Sequence, residues 1–136
     1  MSHAKIYRAT TEGIRVHVRS RFEPEFSRPE DQRFIFSYRV VIENRSASTI
    51  RVLKRKWTIV DAMGQRRKVM GNGVVGVQPE ILPGRVFEYD SACDLKSEFG
   101  TMGGSYIVQT CQIPGRHLPF EVTIPTFQLE APWALS

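Results

Sequence analysis

The chain of 136 residues carries 19 lysines and arginines against 14 aspartates and glutamates, a formal net charge of +5, and 41% of its residues are hydrophobic. This balance is typical of a globular protein and excludes a disordered or fibrous chain, and the length suits one domain. No segment approaches the roughly 18 apolar residues of a membrane helix, and the N-terminal stretch has no signal-peptide core. We therefore expect a cytoplasmic protein without a membrane partner.

Alternation of apolar and polar residues dominates the first half of the chain and predicts β-strands. IRVHVRSRF, which begins at Ile14, and RFIFSYRVVIEN, which begins at Arg33, place apolar side chains at every second position. The third predicted strand, IRVLKRKWTIVDA, begins at Ile50. Its alternation breaks near Leu53 and Lys54, which indicates a β-bulge.

The second half of the chain continues the pattern after a turn at Gly64, since glycine takes positive φ at no steric cost. Four further predicted strands follow, with the sequences RRKVM, RVFEYDSA, GSYIVQTCQI and PFEVTIPTFQLE. About seven strands separated by glycine, proline and asparagine predict an all-β sandwich. We divide the chain into a flexible N-terminus (1–12), one sandwich domain (13–130) and a tail (131–136).

Two aromatic residues fit structural positions of such a sandwich. Trp57, in the middle of the third predicted strand, suits the bulky core position that sandwiches fill with tryptophan. In GTMGGSY the glycines are expected to carry the chain round a corner. Tyr106 is then expected to act as a tyrosine corner, with its hydroxyl bonded back to the main chain.

The stretch GNGVVG, from Gly71 to Gly76, has the G-x-G-x-x-G spacing of dinucleotide-binding turns. That turn works because the phosphates sit at the N-terminus of the helix that follows it. Here Pro79 and Pro83 prevent a helix. We predict a turn between strands, with Asn72-Gly73 as the central pair of a type I′ turn.

A glycine-rich turn without a helix can still bind an anion, because consecutive backbone amides form a concave nest. Basic residues precede the loop and would add positive charge. The candidate ligand-binding residues on this interpretation are Gly71, Asn72, Gly73, Gly76 and Lys68.

No residue pattern predicts catalysis or a cofactor. Cys93 and Cys111 lie far apart without a CxxC pairing, so we expect two reduced, partly buried thiols. The histidines show no metal-ligand spacing, and no metal site is predicted. Polar residues crowd together around Cys93, but they lack a nucleophile elbow or a Cys-His pattern. The sequence therefore predicts that the protein is not an enzyme.

The chain resembles the bacterial ApaG family between residues 13 and 130. The resemblance is carried by LKRKWTIVDAMG, GNGVVGVQP, LPGRVFEYDSA, GTMGGSYIVQ and IPTFQLE, in the family's order. It implies a fibronectin type III or immunoglobulin-like sandwich without disulfides, and an association with cobalt and magnesium efflux. Related eukaryotic domains imply a module that recognises proteins. Asn72 and Val77 stand where the family's loop commonly has acids, so this loop lacks two carboxylates that a cation site would use.

These observations favour a binding module with an unidentified protein partner. We expect an exposed edge strand or sheet face to make the contact, with Lys54, Arg55 and Lys56 pointing outward from the third predicted strand. The alternative is a sensor of a phosphate-rich small ligand, a nucleotide or dinucleoside polyphosphate, held by GNGVVG. Specific nucleic-acid binding ranks lowest, although Arg15, Arg19 and Arg21 form a basic stripe.

Overall fold

A computed structural model describes residues 5–111 and 118–134. Within these residues the chain forms nine β-strands, with two short 3-10 turns at Pro24–Phe26 and Pro29–Asp31. The strands are β1 (Tyr7–Thr11), β2 (Ile14–Phe22), β3 (Phe34–Asn44), β4 (Ile50–Asp61), β5 (Arg66–Asn72), β6 (Glu80–Ile81), β7 (Val86–Leu95), β8 (Phe99–Thr110) and β9 (Phe120–Glu130).

The strands form two antiparallel sheets that pack face to face. The first sheet has the order β1-β2-β3-β7, and the second has the order β5-β4-β8-β9, with β6 also paired to β4. At one side of the sandwich β1 and β2 pack against β9. The predicted all-β sandwich is therefore confirmed, with nine strands in place of about seven.

The sequence pattern did not predict β1 or β6. β1 lies inside the segment 1–12 that we assigned to a flexible N-terminus, and it pairs with β2 from Tyr7 opposite Val18 to Thr11 opposite Ile14. Its sequence, YRATT, has too few large apolar residues to show alternation. β6 has two residues, too few for any periodic signal.

The core is built from the inward positions of both sheets. In β3 buried and half-buried residues alternate at all positions, as the period of two predicts. Val16 and Val18 of β2 lie opposite Ile42 and Val40 of β3, and these four side chains are at most 1% exposed. Burial of this alternating set fixes the register, because a one-residue slip would turn it to solvent.

Trp57 lies in this core with 3% of its surface exposed. Its ring centroid is 5.4 Å from that of Tyr38 and 6.1 Å from that of Phe127, with the ring planes steeply inclined. Such edge-to-face contacts suit the charge distribution of aromatic rings. The predicted core position of Trp57 is confirmed.

The glycines of GTMGGSY lie inside β8 and do not form a corner. A Cβ on Gly104 would overlap the carbonyl oxygen of Lys56, and a Cβ on Gly103 would lie 2.7 Å from the Thr126 hydroxyl oxygen. The register between β8 and β9 shifts at this point, as at a bulge. These glycines allow β4 and β9 to approach β8 closely.

The predicted tyrosine corner is wrong. Tyr106 lies in the middle of β8, where it is completely buried. Its hydroxyl contacts the hydroxyl of Tyr89, on β7 of the opposite sheet. A strand that continues through the glycines leaves no corner for a tyrosine to close.

Candidate functional site

The site begins with the bulge in β4, which confirms the break in alternation seen in the sequence. The register with β8 shifts between Val52 and Lys54. One extra residue in a strand reverses which side chains face inward beyond it. The core residues of β4 are accordingly Ile50 and Val52 before the bulge, and Trp57 and Ile59 after it.

Arg55 faces the interior of the sandwich because of this reversal. It lies two residues before Trp57 and directly opposite Tyr106 in β8. Its Nη1 atom donates hydrogen bonds to the carbonyl oxygens of Asn72 (3.0 Å) and Gly73 (3.1 Å). The expectation that Arg55 points outward is therefore wrong, and the side chain instead holds the glycine loop.

The glycine loop fills the gap along β4 between β5 and β6. The carbonyl oxygen of Leu53, the extra residue of the bulge, accepts hydrogen bonds from the backbone N–H of Gly73 (2.7 Å) and from Nε2 of Gln78 (3.0 Å). The Val52 N–H donates to the Pro79 carbonyl at 3.1 Å. A bulge leaves backbone groups outside the ladder, and the loop supplies their partners.

The tight turn of the loop lies later than predicted. Asn72 ends β5 and does not have positive φ, so a type I′ turn centred on Asn72-Gly73 is wrong. Val75 (φ 42°) and Gly76 (φ 82°) carry the adjacent positive angles. They lie between Val74 and Val77, which exchange backbone hydrogen bonds of 2.8 and 3.0 Å. A β-branched residue such as valine rarely adopts this conformation, which is why Asn-Gly was the stronger signal.

Each glycine of the motif has its own structural reason. A Cβ on Gly71 would lie 2.7 Å from the guanidinium of Arg55. Gly73 has a φ of 61°, and a Cβ there would overlap the carbonyl oxygen of Val77. Gly76 is sterically open but has positive φ. The spacing G-x-G-x-x-G is thus explained by packing and turn geometry, and β6 rather than a helix follows the loop.

The loop amides are largely engaged within the protein. The N–H groups of Gly73, Val74 and Val77 donate to backbone carbonyls. An anion nest requires consecutive amides that point into one concave space. The structure places the candidate residues Gly73 and Gly76 in the loop, and Gly71 and Asn72 in β5. Lys68 lies four residues before Asn72, roughly 13 Å away along the strand.

Lys54 and Lys56 point outward from the second sheet, as predicted. Lys54 lies opposite Asn72 and is exposed. Lys56 is half-buried and forms an ion pair of 3.2 Å with Glu121 of β9. Of the three predicted partner-binding cations, Lys54 is therefore the exposed one beside the loop.

The polar residues around Cys93 are not brought together. Alternation along β7 turns Asp90 and Asp94 outward, where they pair with Arg39 (2.9 Å) and Arg67 (3.4 Å). Cys93 faces inward, and burial raises the pKa of its thiol to about 12. The acids and the thiol therefore lie on opposite faces of one strand, without the contacts of a nucleophile and its base.

His17 lies on the outer face of β2. Its Nδ1 accepts a hydrogen bond from Nε of Arg8 (3.2 Å), and its Nε2 lies 4.0 Å from a carboxylate oxygen of Glu43. Burial and the charge of Arg8 lower its pKa, against the opposing effect of Glu43. His3 and His117 lie outside the described residues, among which no group of three potential metal ligands occurs.

The comparisons with known proteins decide the family. The ApaG domain model matches residues 24–110, more than half of the chain. The chain belongs to the ApaG family. It is similar to Protein ApaG of Rhizobium leguminosarum bv. trifolii (43% identity over 130 residues, 96% of this chain and 97% of that protein). It is also similar to Protein ApaG of Anaeromyxobacter dehalogenans (45% identity over 128 residues, 94% of this chain and 98% of that protein).

A solved structure supports the architecture. A crystal structure of an ApaA protein from Bordetella pertussis superimposes with a TM-score of 0.82 at 39% identity, covering 88% of this chain and 94% of that one. The family-model match and the two relatives confirm the resemblance to the ApaG family. Across residues 5–111 and 118–134 we find no helix long and apolar enough to cross a membrane.

Two features of the site were not visible in the sequence. One is the inward direction of Arg55. Broken alternation shows that a bulge is present, but it does not show which residue is the extra one, and that residue decides which later side chains face inward. The other is the exposure of β5, which is open to solvent at every position except Gly71. The sequence RRKVMGN shows little alternation. Its low content of apolar residues is the one signal that could have indicated an exposed edge strand.

Proposed function

We propose that this ApaG-family chain is a non-catalytic protein-binding module that contacts its partner through β5 and the glycine loop. The observation that carries the proposal is the free edge of β5, which pairs with β4 on one side and with no strand of the described chain on the other. Such an edge offers backbone donors and acceptors to an added strand.

Exposed apolar side chains cluster beside this edge. Twelve large hydrophobic residues are exposed in the described chain, and four of them fall within residues 69–77. They are Val69 (38% exposed), Met70 (68%), Val75 (55%) and Val77 (48%). Isolated exposed apolar residues are ordinary, whereas a group on one edge strand and its loop supports a contact surface there.

Arg55 supports the proposal because it makes the loop a fixed part of the surface. Its bonds to Asn72 and Gly73, together with the bonds of the loop to Leu53, hold the apolar residues in one arrangement. Preorganised surfaces lose less conformational entropy on binding. Any role in cobalt or magnesium efflux would then be indirect, through a partner protein.

A photo-crosslinker distinguishes this surface from the rest of the molecule. We would place benzoylphenylalanine at Met70, and as a matched control at Val86, an exposed apolar residue on edge strand β7 of the other sheet. Irradiation in an extract of the source organism should yield one dominant adduct at position 70 and none of it at position 86. Identical adduct profiles at both positions would contradict the proposal.

The alternative is a sensor of a phosphate-rich ligand at the loop. It has weaker geometric support, because three loop amides are already hydrogen-bonded within the protein. An NMR titration with a dinucleoside polyphosphate separates the two functions. Shifts confined to the amides of 71–76 would favour the sensor, and their absence at millimolar ligand would favour the protein-binding module.

A further inference from the structure

Two hydrogen bonds at the ends of β5 show which of its backbone groups face the free edge. The Asp61 N–H donates to the carbonyl oxygen of Gln65 (3.1 Å), and the Gly73 N–H donates to the carbonyl oxygen of Leu53 (2.7 Å). Along an antiparallel strand, residues bonded to the neighbouring strand alternate with residues turned away from it. Since 65 and 73 are bonded to β4, the residues turned toward the free edge are the even-numbered ones, Arg66, Lys68 and Met70.

The outer face of this edge is basic. Arg66 and Lys68 lie on that face because Arg67, between them, lies opposite the core residue Ile59 of β4. Both are exposed and form no ion pair within residues 5–111 and 118–134. Asp61 is the acid at this end of β4, and its Oδ1 already accepts two backbone N–H bonds of 2.9 Å in the turn to β5. The two cations are therefore left without a carboxylate.

The rest of the edge is neutral or apolar. Arg67 donates from Nη2 to the carbonyl oxygen of Asp94 on β7 (2.7 Å), and this Nη2 lies 3.4 Å from the Asp94 carboxylate. Val69 lies opposite Trp57 and is exposed, as is Met70 beside it. The edge thus offers two unpaired cations at alternate positions, followed by two adjacent apolar side chains.

A second copy of the chain fits this edge poorly. Two copies paired along β5 would bring the cations of both edges together, and like charges on neighbouring strands are destabilising. Basic residues on an edge strand are a common device against such self-pairing. The same charges favour a different strand, one that brings carboxylates.

We propose that β5 binds an extended protein segment in which two apolar residues are followed by two acids separated by one residue, added antiparallel to residues 66–70. The proposal rests on the protein-binding function at β5 and names the chemistry of the partner. Residues opposite each other in an antiparallel pair share a face of the sheet. The two acids then meet Lys68 and Arg66, and the two apolar residues meet Met70 and Val69. A nucleic acid would supply charge for the cations but no backbone for the strand edge.

The probe is a fluorescent peptide with the central sequence valine-valine-glutamate-threonine-glutamate and two serines on each side. It is titrated against the whole chain and followed by anisotropy. The expected result is saturable binding, with NMR shifts that are larger for the amides of 66, 68 and 70 than for those of 67 and 69, because the former face the added strand. Shifts confined to any other part of the chain would overturn the proposal.

A pair of matched variants tests the two cations. Arg66→Glu/Lys68→Glu should bind the peptide about tenfold more weakly, because two ion pairs become repulsions. The control Arg19→Glu/Arg21→Glu changes the net charge equally at exposed, unpaired positions of the other sheet, and it should bind within a factor of about two. Circular dichroism checks that both variants are folded. Equal weakening in both would reduce the effect to net charge and overturn the proposal.

Altered peptides test the same points without changing the protein. Equal binding of a peptide with lysine in place of both glutamates would exclude recognition of acids. Methyl groups on the backbone nitrogens of the first valine and both glutamates block the bonds to β5, and equal binding of this peptide would exclude strand addition.

Other occupants of the edge give different results. Tighter binding of a uridine oligomer at 66–70 would show that the cations recognise nucleic-acid phosphates. Sedimentation of the chain alone should give a monomer, and a dimer with amides 66–70 in its interface would assign the edge to a second copy. These results overturn the acidic partner. The protein-binding function is tested separately, by the adducts at Met70 and Val86.

Discussion

The hydroxyl groups of Tyr89 and Tyr106 contact each other across the interior of the sandwich, although their strands belong to different sheets. Tyr89 is 7% exposed and Tyr106 is fully buried. Burial raises the pKa of both phenols. The contact links the two layers beside Arg55 and satisfies two polar atoms that water does not reach.

Removing one hydroxyl of this pair should lower the free energy of unfolding more than removing both. Tyr89→Phe leaves the Tyr106 hydroxyl buried without its partner, and we expect a loss of about 1–3 kcal/mol in the free energy of unfolding. The double variant Tyr89→Phe/Tyr106→Phe removes the orphaned group and should recover part of that loss. Urea denaturation of the four proteins gives the coupling energy. Additive losses would show that the hydroxyls act independently.

Alkaline pH should destabilise the protein, because it ionises a buried thiol and buried phenols. Burial raises the pKa of the Cys93 thiol to about 12 from an ordinary value of 9.0. The folded state therefore holds the proton more tightly than the unfolded state. This stabilisation is complete below about pH 9 and is lost as the pH rises toward the folded-state pKa.

Urea midpoints measured between about pH 8 and pH 11 test this dependence. The midpoint should fall across the range, and it should fall less in Cys93→Ala, which has no thiol to ionise. A variant with the same pH dependence as the unaltered protein would mean that Cys93 does not contribute. Ionisation of the buried Tyr89 and Tyr106, whose pKa values are also raised by burial, would account for the remainder of the fall.

The three glycines of the motif should differ in their effect on stability. Gly73→Ala should cost most, on the order of 2–4 kcal/mol, because the new Cβ overlaps the Val77 carbonyl and φ is positive. Gly76→Ala should cost about 1 kcal/mol, since only its φ is unfavourable. Gly71→Ala should cost least, because the Arg55 guanidinium can move. Equal losses in urea denaturation at all three positions would contradict this explanation of the spacing.

The two cysteines should react at very different rates. Cys111 is exposed, whereas Cys93 faces inward with a raised pKa and little thiolate. We expect iodoacetamide to modify one thiol of the folded protein at neutral pH and both in concentrated urea, as read by mass spectrometry. Cys111→Ser serves as the control and should remain unmodified when folded. Equal modification of both thiols in the folded protein would show that Cys93 is accessible.

Much of the fold was predictable because hydrophobic alternation directly reports a half-buried strand. β2 and β3 alternate along nearly their full length, and the structure places both as predicted. The short strands β1 and β6 were not predictable, since they are held by pairing with β2 and β4 rather than by a pattern of their own.

The candidate site was less predictable than the fold. The sequence located the loop and the bulge but not the turn at Val75-Gly76, because valine rarely adopts positive φ. The turn is imposed by hydrogen bonds from the loop to Leu53 and by those between Val74 and Val77. The direction of Arg55 depends on which residue is the extra one.

The extra residue in β4 sets the phase of the whole strand. Ile50 and Val52 are core residues at even positions, and Trp57 and Ile59 are core residues at odd ones. Deleting Leu53 would leave Ile50, Val52, Trp57 and Ile59 on one face of a regular strand, but it would remove the carbonyl that accepts hydrogen bonds from Gly73 and Gln78. Because the loop supplies the hydrogen-bond donors for the Leu53 carbonyl, the loop and the extra residue form one structural unit. A designer who grafts GNGVVG onto another sandwich must therefore graft that residue with it.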